Sequence, residues 1–185
     1  MIDGAYTDFF EGVVAASGAL TGLLFVALSI APSHAAAHTP EVIRQVRSAA
    51  ALLAFVNPLA VALFGLVPNT NVGYPAAALG VIGIAFTAAG LRSILTVPET
   101  RGWRGRQLGL LAALLAIFGA ELVCGIVFVA GSRSSTTIDV ICYCLAASLM
   151  IGIARAWELV GDRDTGLSAS LAVLTGRRQE SRKTD

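Results

Sequence analysis

The residue in this sequence with the most chemical potential is Glu121, the only charge in the apolar run from Gln107 to Gly131. A carboxylate at mid-membrane depth costs several kcal/mol on insertion scales unless it is neutral, paired or hydrated, so its presence marks a functional residue by default. Burial favours the uncharged form of an acid. Two chemistries follow. Glu121 either exchanges protons or cations in a hydrated cavity, or it is a neutral structural acid hydrogen-bonded to Asn57, Ser148 or a backbone carbonyl.

Asn57-Pro58 lies in another apolar run and carries a related ambiguity. Pro58 has no N–H and deprives the Ala54 carbonyl of its usual intrahelical donor, so a helix should bend there and expose backbone acceptors. Such a break either binds an ion or is packed, with a neighbouring side chain satisfying the freed carbonyl. Ser17, Thr87 and Ser148 fall at comparable depth in three further runs. At a rise of about 1.5 Å per residue, all five runs can contribute to one polar layer.

Other reactive residue types carry weaker patterns. His34, His38 and Glu41 form H-x3-H-x2-E, which would bind a metal only if the segment were helical, and Pro32 and Pro40 bracket it. No metal site is expected. Cys124 and either Cys142 or Cys144 fall at similar depth, but Cys142-Tyr143-Cys144 is not C-x-x-C, and buried thiols are expected. The sequence has no Ser/His/Asp set, phosphate-cradling glycine loop or H-E-x-x-H motif. No enzyme and no cofactor are expected.

The elements that must position these residues follow from composition. With 56% hydrophobic and 14% charged residues and a mean hydropathy of +0.76, the chain departs from the roughly 25% charge of soluble domains. A span of the hydrocarbon core uses about 20 residues. Five runs are long enough, at about 9–31, 48–67, 75–97, 107–131 and 137–160. The expected fold is an all-α, polytopic transmembrane helix bundle, with 1–160 as the membrane domain. Residues 161–185 read as a linker, a short interfacial segment near 167–174 and a basic tail. Asp3, Asp8 and Glu11 precede the first run and no Lys or Arg occurs before Arg44, so this run reads as a retained helix and not a cleaved leader.

Basic residues favour cytoplasmic loops. When loops are assigned alternately, all 13 basic residues but Arg133 fall on one side. That asymmetry predicts an odd number of spans, with the N-terminus outside and the C-terminus inside. Arg47, Arg92 and Arg155 then lie near cytoplasmic ends, where snorkelling to headgroups is expected, and Arg155 can pair with Glu158.

The run Phe9-Phe10-Glu11-Gly12-Val13-Val14-Ala15-Ala16-Ser17-Gly18-Ala19-Leu20-Thr21-Gly22-Leu23-Leu24-Phe25-Val26-Ala27-Leu28-Ser29 resembles the first helix of a group of small, uncharacterised multi-pass bacterial membrane proteins. The resemblance implies the bacterial inner membrane. It implies no activity, ligand or site residue.

Small residues let helix backbones approach in lipid, where no hydrophobic force drives association. Gly18 and Gly22 lie four apart in the first run, and Ala76, Gly80, Gly83, Thr87 and Gly90 draw a stripe along the third. These two helices are therefore the expected packed centre. Two functions remain open. One is a transport or permeation protein, oligomeric because five helices hardly enclose a pore, with Glu121 and Asn57 at its midplane. The other is a non-catalytic subunit or assembly factor whose small-residue faces dock other membrane helices. The two separate on whether Glu121 faces a hydrated cavity or a dry helix contact. Expected partners are lipids, further copies of the chain or other membrane proteins, and no nucleic acid.

Overall fold

In lipid every backbone N–H and C=O must find its partner within the protein, which leaves helices as the solution for long apolar runs. The computed structural model describes residues 4–30, 41–96, 104–131 and 134–160. They form α1 (Gly4–Ile30), α2 (Glu41–Gly65), α3 (Gly73–Thr96), α4 (Arg104–Val129) and α5 (Ser135–Val160). All five contain segments of 21 to 24 residues long and apolar enough to cross a membrane, as befits a multi-pass integral membrane protein. The linker, the 167–174 segment and the basic tail lie outside the described residues.

All five helices begin earlier than hydropathy indicates, α1 and α2 by the most, at Gly4 and Glu41. Hydropathy marks the part of a helix that suits hydrocarbon. The hydrogen-bond ladder continues beyond it until a breaker or a cap intervenes. One cap is visible before α3, where the Asn71 side-chain oxygen accepts from the Gly73 N–H at 2.9 Å. Asn69 supplies the left-handed residue of the turn, at φ 60°, a conformation Asn tolerates better than most residues.

The helices run up and down. Tyr6 at the start of α1 meets Asp139 at the start of α5, Phe10 meets Gly65 at the end of α2, and Gly73 at the start of α3 meets Gly125 near the end of α4. Val46 and Gly90, and Leu111 and Ile94, meet at the other end, which also carries Arg47, Arg92 and Arg155 and is called the basic end below.

The centre is not the expected one. α2 and α5 pack against each other in the middle, α1 flanks α2, and α3 forms a close pair with α4. Gly152 makes the central contact possible, because any Cβ there would collide with the Phe55 ring. On α3 the small stripe does pack. A Cβ on Gly83 would lie 2.5 Å from the Phe118 ring, one on Gly80 3.0 Å from the Leu122 backbone, and one on Gly90 only 3.4 Å from Val46.

The glycines of α1 have the opposite fate. A Cβ on Gly18 or Gly22 would meet nothing within 4 Å among the described residues. α1 instead faces the bundle with Phe10, Val13, Ser17 and Leu24, all buried, at spacings of three, four and seven. These are knobs, and the complementary small surface belongs to α2: the Phe10 ring lies 3.1 Å from where a Gly65 Cβ would be. With Phe10, Val13 and Leu24 turned inward, Gly12, Gly18 and Gly22 face outward.

Large apolar side chains cover the exterior, among them Phe25, Phe64, Val81, Phe86, Ile126 and Met150. An exterior this apolar suits lipid and not water. Tyr74 near one end and Trp157 at the other are 63% and 71% exposed, the positions of an aromatic belt at the two membrane interfaces.

Candidate functional site

Pro58 sits inside α2, and the helix continues through it. The carbonyl it deprives, that of Ala54, accepts from the Ser148 hydroxyl of α5 at 3.1 Å. Ala54 and Ser148 are both fully buried. The break in the ladder is therefore fastened to the neighbouring helix, which meets the requirement that a freed acceptor in an apolar interior be paired.

One turn along α2, the Asn57 side-chain amide donates to Glu121 Oε2 of α4 at 2.8 Å. Asn57 is 2% exposed and Glu121 0%. The turn 54–57 thus ties α2 to both α4 and α5. Among the described residues, Glu121 Oε1 and Asn57 Oδ1 have no hydrogen-bond partner. These spare atoms suit each other when the acid is protonated, because a carboxylic O–H is a donor and an amide oxygen an acceptor. Tight packing surrounds the pair. Phe118, one turn before Glu121, presses on Gly83, and a Cβ on Gly125, one turn after it, would lie 2.6 Å from the Ala77 backbone nitrogen.

The other members of the expected polar layer stand apart. Ser17 is buried, its carbonyl accepts from the Thr21 hydroxyl at 2.7 Å, and its own hydroxyl has no partner among the described residues. Thr87 is 3% exposed and likewise unpartnered there. Neither is hydrogen-bonded to Asn57 or Glu121. What the structure brings together is Asn57 with Glu121, and Ser148 with the Pro58 break.

Two crevices open at the basic end, one on each side of α2. The first, about 330 Å³, lies between α2 and α3 with Leu111 of α4 at its edge, and Thr87 lines it. The second, about 230 Å³, lies between α1 and α2, where Leu24, Phe25 and Leu28 face Ser48 and Leu52. Neither is lined by Glu121 or Asn57.

Arg47 and Arg155 correct the snorkelling expectation. They are 7% and 0% exposed, and both have partners in the structure. Each lies on the bundle side of its helix, so its stem packs against neighbours and does not run along lipid. Arg92, on the outer side of α3, is exposed. The Glu158 side chain lies outside the described residues, as do His34 and His38 and the side chain of Glu41. Among the described residues no group of His, Cys, Asp and Glu could hold a metal, and Cys124, Cys142 and Cys144 are free thiols.

Sequence reasoning missed the bond from the Tyr6 hydroxyl to Asp139 Oδ1, at 2.8 Å. Its signal was available, since both residues lie at starts of runs that must share one end of the bundle. It also missed Gly152, which belongs to no stripe and whose role depends on Phe55 arriving opposite. No family model, curated protein or solved structure matches the chain.

Proposed function

We propose that this chain is a multi-pass protein of the bacterial inner membrane, N-terminus outside and C-terminus inside. In it the chain serves as a non-catalytic subunit or assembly factor that docks a further membrane helix on α1. The observation that carries this reading is the setting of Glu121: fully buried, hydrogen-bonded across α2 and α4, and lining neither crevice at the basic end. A transport carboxyl needs water or an ion path at its side, whereas this one is fully buried and paired with Asn57 in a helix contact.

The docking face is supported by the outward side of α1. Gly12, Ala15, Gly18, Ala19 and Gly22 are all exposed, and they make the small-residue surface that membrane helices use for close approach. Orientation is supported by the gathering of Arg47, Arg92 and Arg155 at one end, the end that also leads into the arginine-bearing loops.

Three measurements test the reading. Single cysteines on a background lacking the native ones should be labelled from outside at positions 70 and 134 and from inside at 36, 103 and 180. Labelling of position 180 from outside would overturn the topology. Gly18→Cys should cross-link in native membranes to a defined heavier product, and Val81→Cys, on an outer face of α3, should not. Proteoliposomes of the wild type should show no proton or cation flux over a range of pH. A pH-dependent flux abolished by Glu121→Gln would replace the subunit reading with the transport one.

A further inference from the structure

The sequence holds three tyrosines, and each has a different fate in lipid. Tyr6 donates its hydroxyl to Asp139. Tyr74 is the second residue of α3 and lies at a membrane interface, where water serves its hydroxyl. Tyr143 has neither arrangement. It is 75% exposed and lies eight residues inside the span Ser135–Trp157, about 12 Å from its start at 1.5 Å per residue. In a hydrocarbon core about 30 Å thick, that depth is close to the midplane. A tyrosine ring is too short to carry its hydroxyl from there to the interface.

Small hydroxyls in a membrane helix satisfy themselves on the carbonyl four residues back, as Thr21 and Ser29 do. A phenol hydroxyl, at the far end of a rigid ring, cannot turn back to its own backbone. Among the described residues it has no hydrogen-bond partner. Lipid tails offer none either, and a hydroxyl left unpaired in hydrocarbon is unfavourable.

Tyr143 also belongs to a patterned face. Tyr143, Met150 and Trp157 recur every seven residues along α5 and are all exposed, and Ala146 and Ala154 are exposed between them. A seven-residue repeat of large side chains keeps one seam of a helix against a partner in a left-handed crossing, with each knob entering the space that smaller neighbours leave. No residue from Tyr143 to Ala154 is charged. The charges that flank this stretch are engaged elsewhere: Asp139 accepts from Tyr6 of α1, and Arg155 is fully buried.

We infer that this face of α5 is the contact between two copies of the chain, related by a twofold axis along the membrane normal, with the two Tyr143 hydroxyls hydrogen-bonded to each other. Copies of one chain insert in the same sense, so their α5 helices run parallel and every residue of the seam meets its own counterpart at its own depth. A phenol both donates and accepts, so two at one depth satisfy each other. A different helix would need a polar group at that single level, whereas a second copy brings one there necessarily. The uncharged seam brings no like charges together. This face is separate from the glycine side of α1, and the inference does not rest on the docking role given to that helix.

Sedimentation equilibrium of the full chain in density-matched detergent micelles tests the contact with the native cysteines in place. The wild type should be a reversible dimer. Tyr143→Phe keeps the ring and removes the hydroxyl, and should raise the dissociation constant about three- to tenfold, the range measured for hydrogen bonds between membrane helices. The unfolding midpoint of the Tyr143→Phe monomer should be unchanged, because the hydroxyl serves nothing within its own chain. In proteoliposomes of the purified chain lacking its native cysteines, Ala146→Cys should oxidise to a product of twice the chain mass, and Val81→Cys on α3 should not. A wild type that stays monomeric, or a dissociation constant identical in wild type and Tyr143→Phe, would overturn the inference. So would an Ala146→Cys chain that cross-links in native membranes only to a product of some other mass, since the face would then belong to a different protein.

Discussion

The bond from Ser148 to the Ala54 carbonyl has a quantitative consequence that depends on Pro58. Ser148→Ala removes the side-chain hydrogen bond to that carbonyl, at a site where Ala54 and Ser148 are fully buried. Leaving a buried acceptor unsatisfied costs about 1–3 kcal/mol in proteins generally. In membranes the separated helices find other partners for their polar groups, and measured couplings average about 0.6 kcal/mol with a maximum near 1.7. The second effect dominates here, because the helix containing Ala54 stays inserted when tertiary contacts are lost. The expected cost of Ser148→Ala is therefore about 1 kcal/mol.

Pro58→Ala restores an N–H aimed at the same carbonyl along the helix. In that background Ser148→Ala should cost no more than a few tenths of a kcal/mol, so the double-mutant cycle should show a coupling of about 0.5–1.5 kcal/mol. The cycle cancels the separate effects of changing the Pro58 ring volume. Reversible unfolding in lipid–detergent micelles, driven by SDS and followed by circular dichroism, gives the four free energies. Equal costs of Ser148→Ala in both backgrounds would refute the reasoning, because the hydroxyl would then be serving something other than the carbonyl that Pro58 frees.

Gly83→Leu should destabilise by more than about 2 kcal/mol in the same assay, since the Phe118 ring already occupies the space, while Ala78→Leu on the outer face of α3 should be within about 0.5 kcal/mol. Equal effects would place the stripe in lipid. Glu121→Gln should be within about 0.5 kcal/mol of wild type, because the glutamine amide can both accept from and donate to Asn57; Glu121→Leu should cost about 1–3 kcal/mol by stranding the buried Asn57 amide. A Gln variant as unstable as the Leu variant would mean that the pair depends on charge. Tyr6→Phe should cost about 0.5–1 kcal/mol through loss of the bond to Asp139, and the same change on an Asp139→Ala background should cost close to nothing.

The five long apolar helices were legible because lipid leaves a long apolar run one way to satisfy its backbone. The Pro58 break was legible to the atom on one side only. Proline chemistry is local, so the sequence identifies the Ala54 carbonyl as the deprived acceptor, but which helix supplies the donor depends on how α5 lies against α2. That crossing is permitted by Gly152 and Phe55, two residues with no local pattern linking them. Asn57 was one of three partners open to Glu121, and the structure selects it. The buried Arg47 and Arg155 were read as snorkelling because proximity to a helix end is visible in sequence while the face of the helix is not.

The two glycine stripes show why the centre was misplaced. A stripe of small residues states that a close approach is possible, and it does not state that a partner arrives. On α3 the partner is Phe118, a large ring that fits only where Gly83 leaves room. On α1 the bundle has no use for the stripe, because α2 already supplies the small surface at Gly65 and α1 the knobs at Phe10, Val13 and Leu24. In water a helix would turn its more apolar face inward and the choice would be decided by hydropathy. In lipid both faces of α1 are apolar enough to be exposed, so packing complementarity alone decides, and complementarity is a property of helix pairs. The same physics leaves the Gly12, Gly18 and Gly22 face of α1 uncovered by the described residues at no hydrophobic cost. Gly18→Leu should for that reason leave the unfolding free energy of the isolated protein unchanged within about 0.5 kcal/mol while abolishing, in native membranes, the product cross-linked through Gly22→Cys on the same face. A loss of intrinsic stability on Gly18→Leu would mean that α1 packs inward by its glycines, which is the arrangement first expected from the sequence.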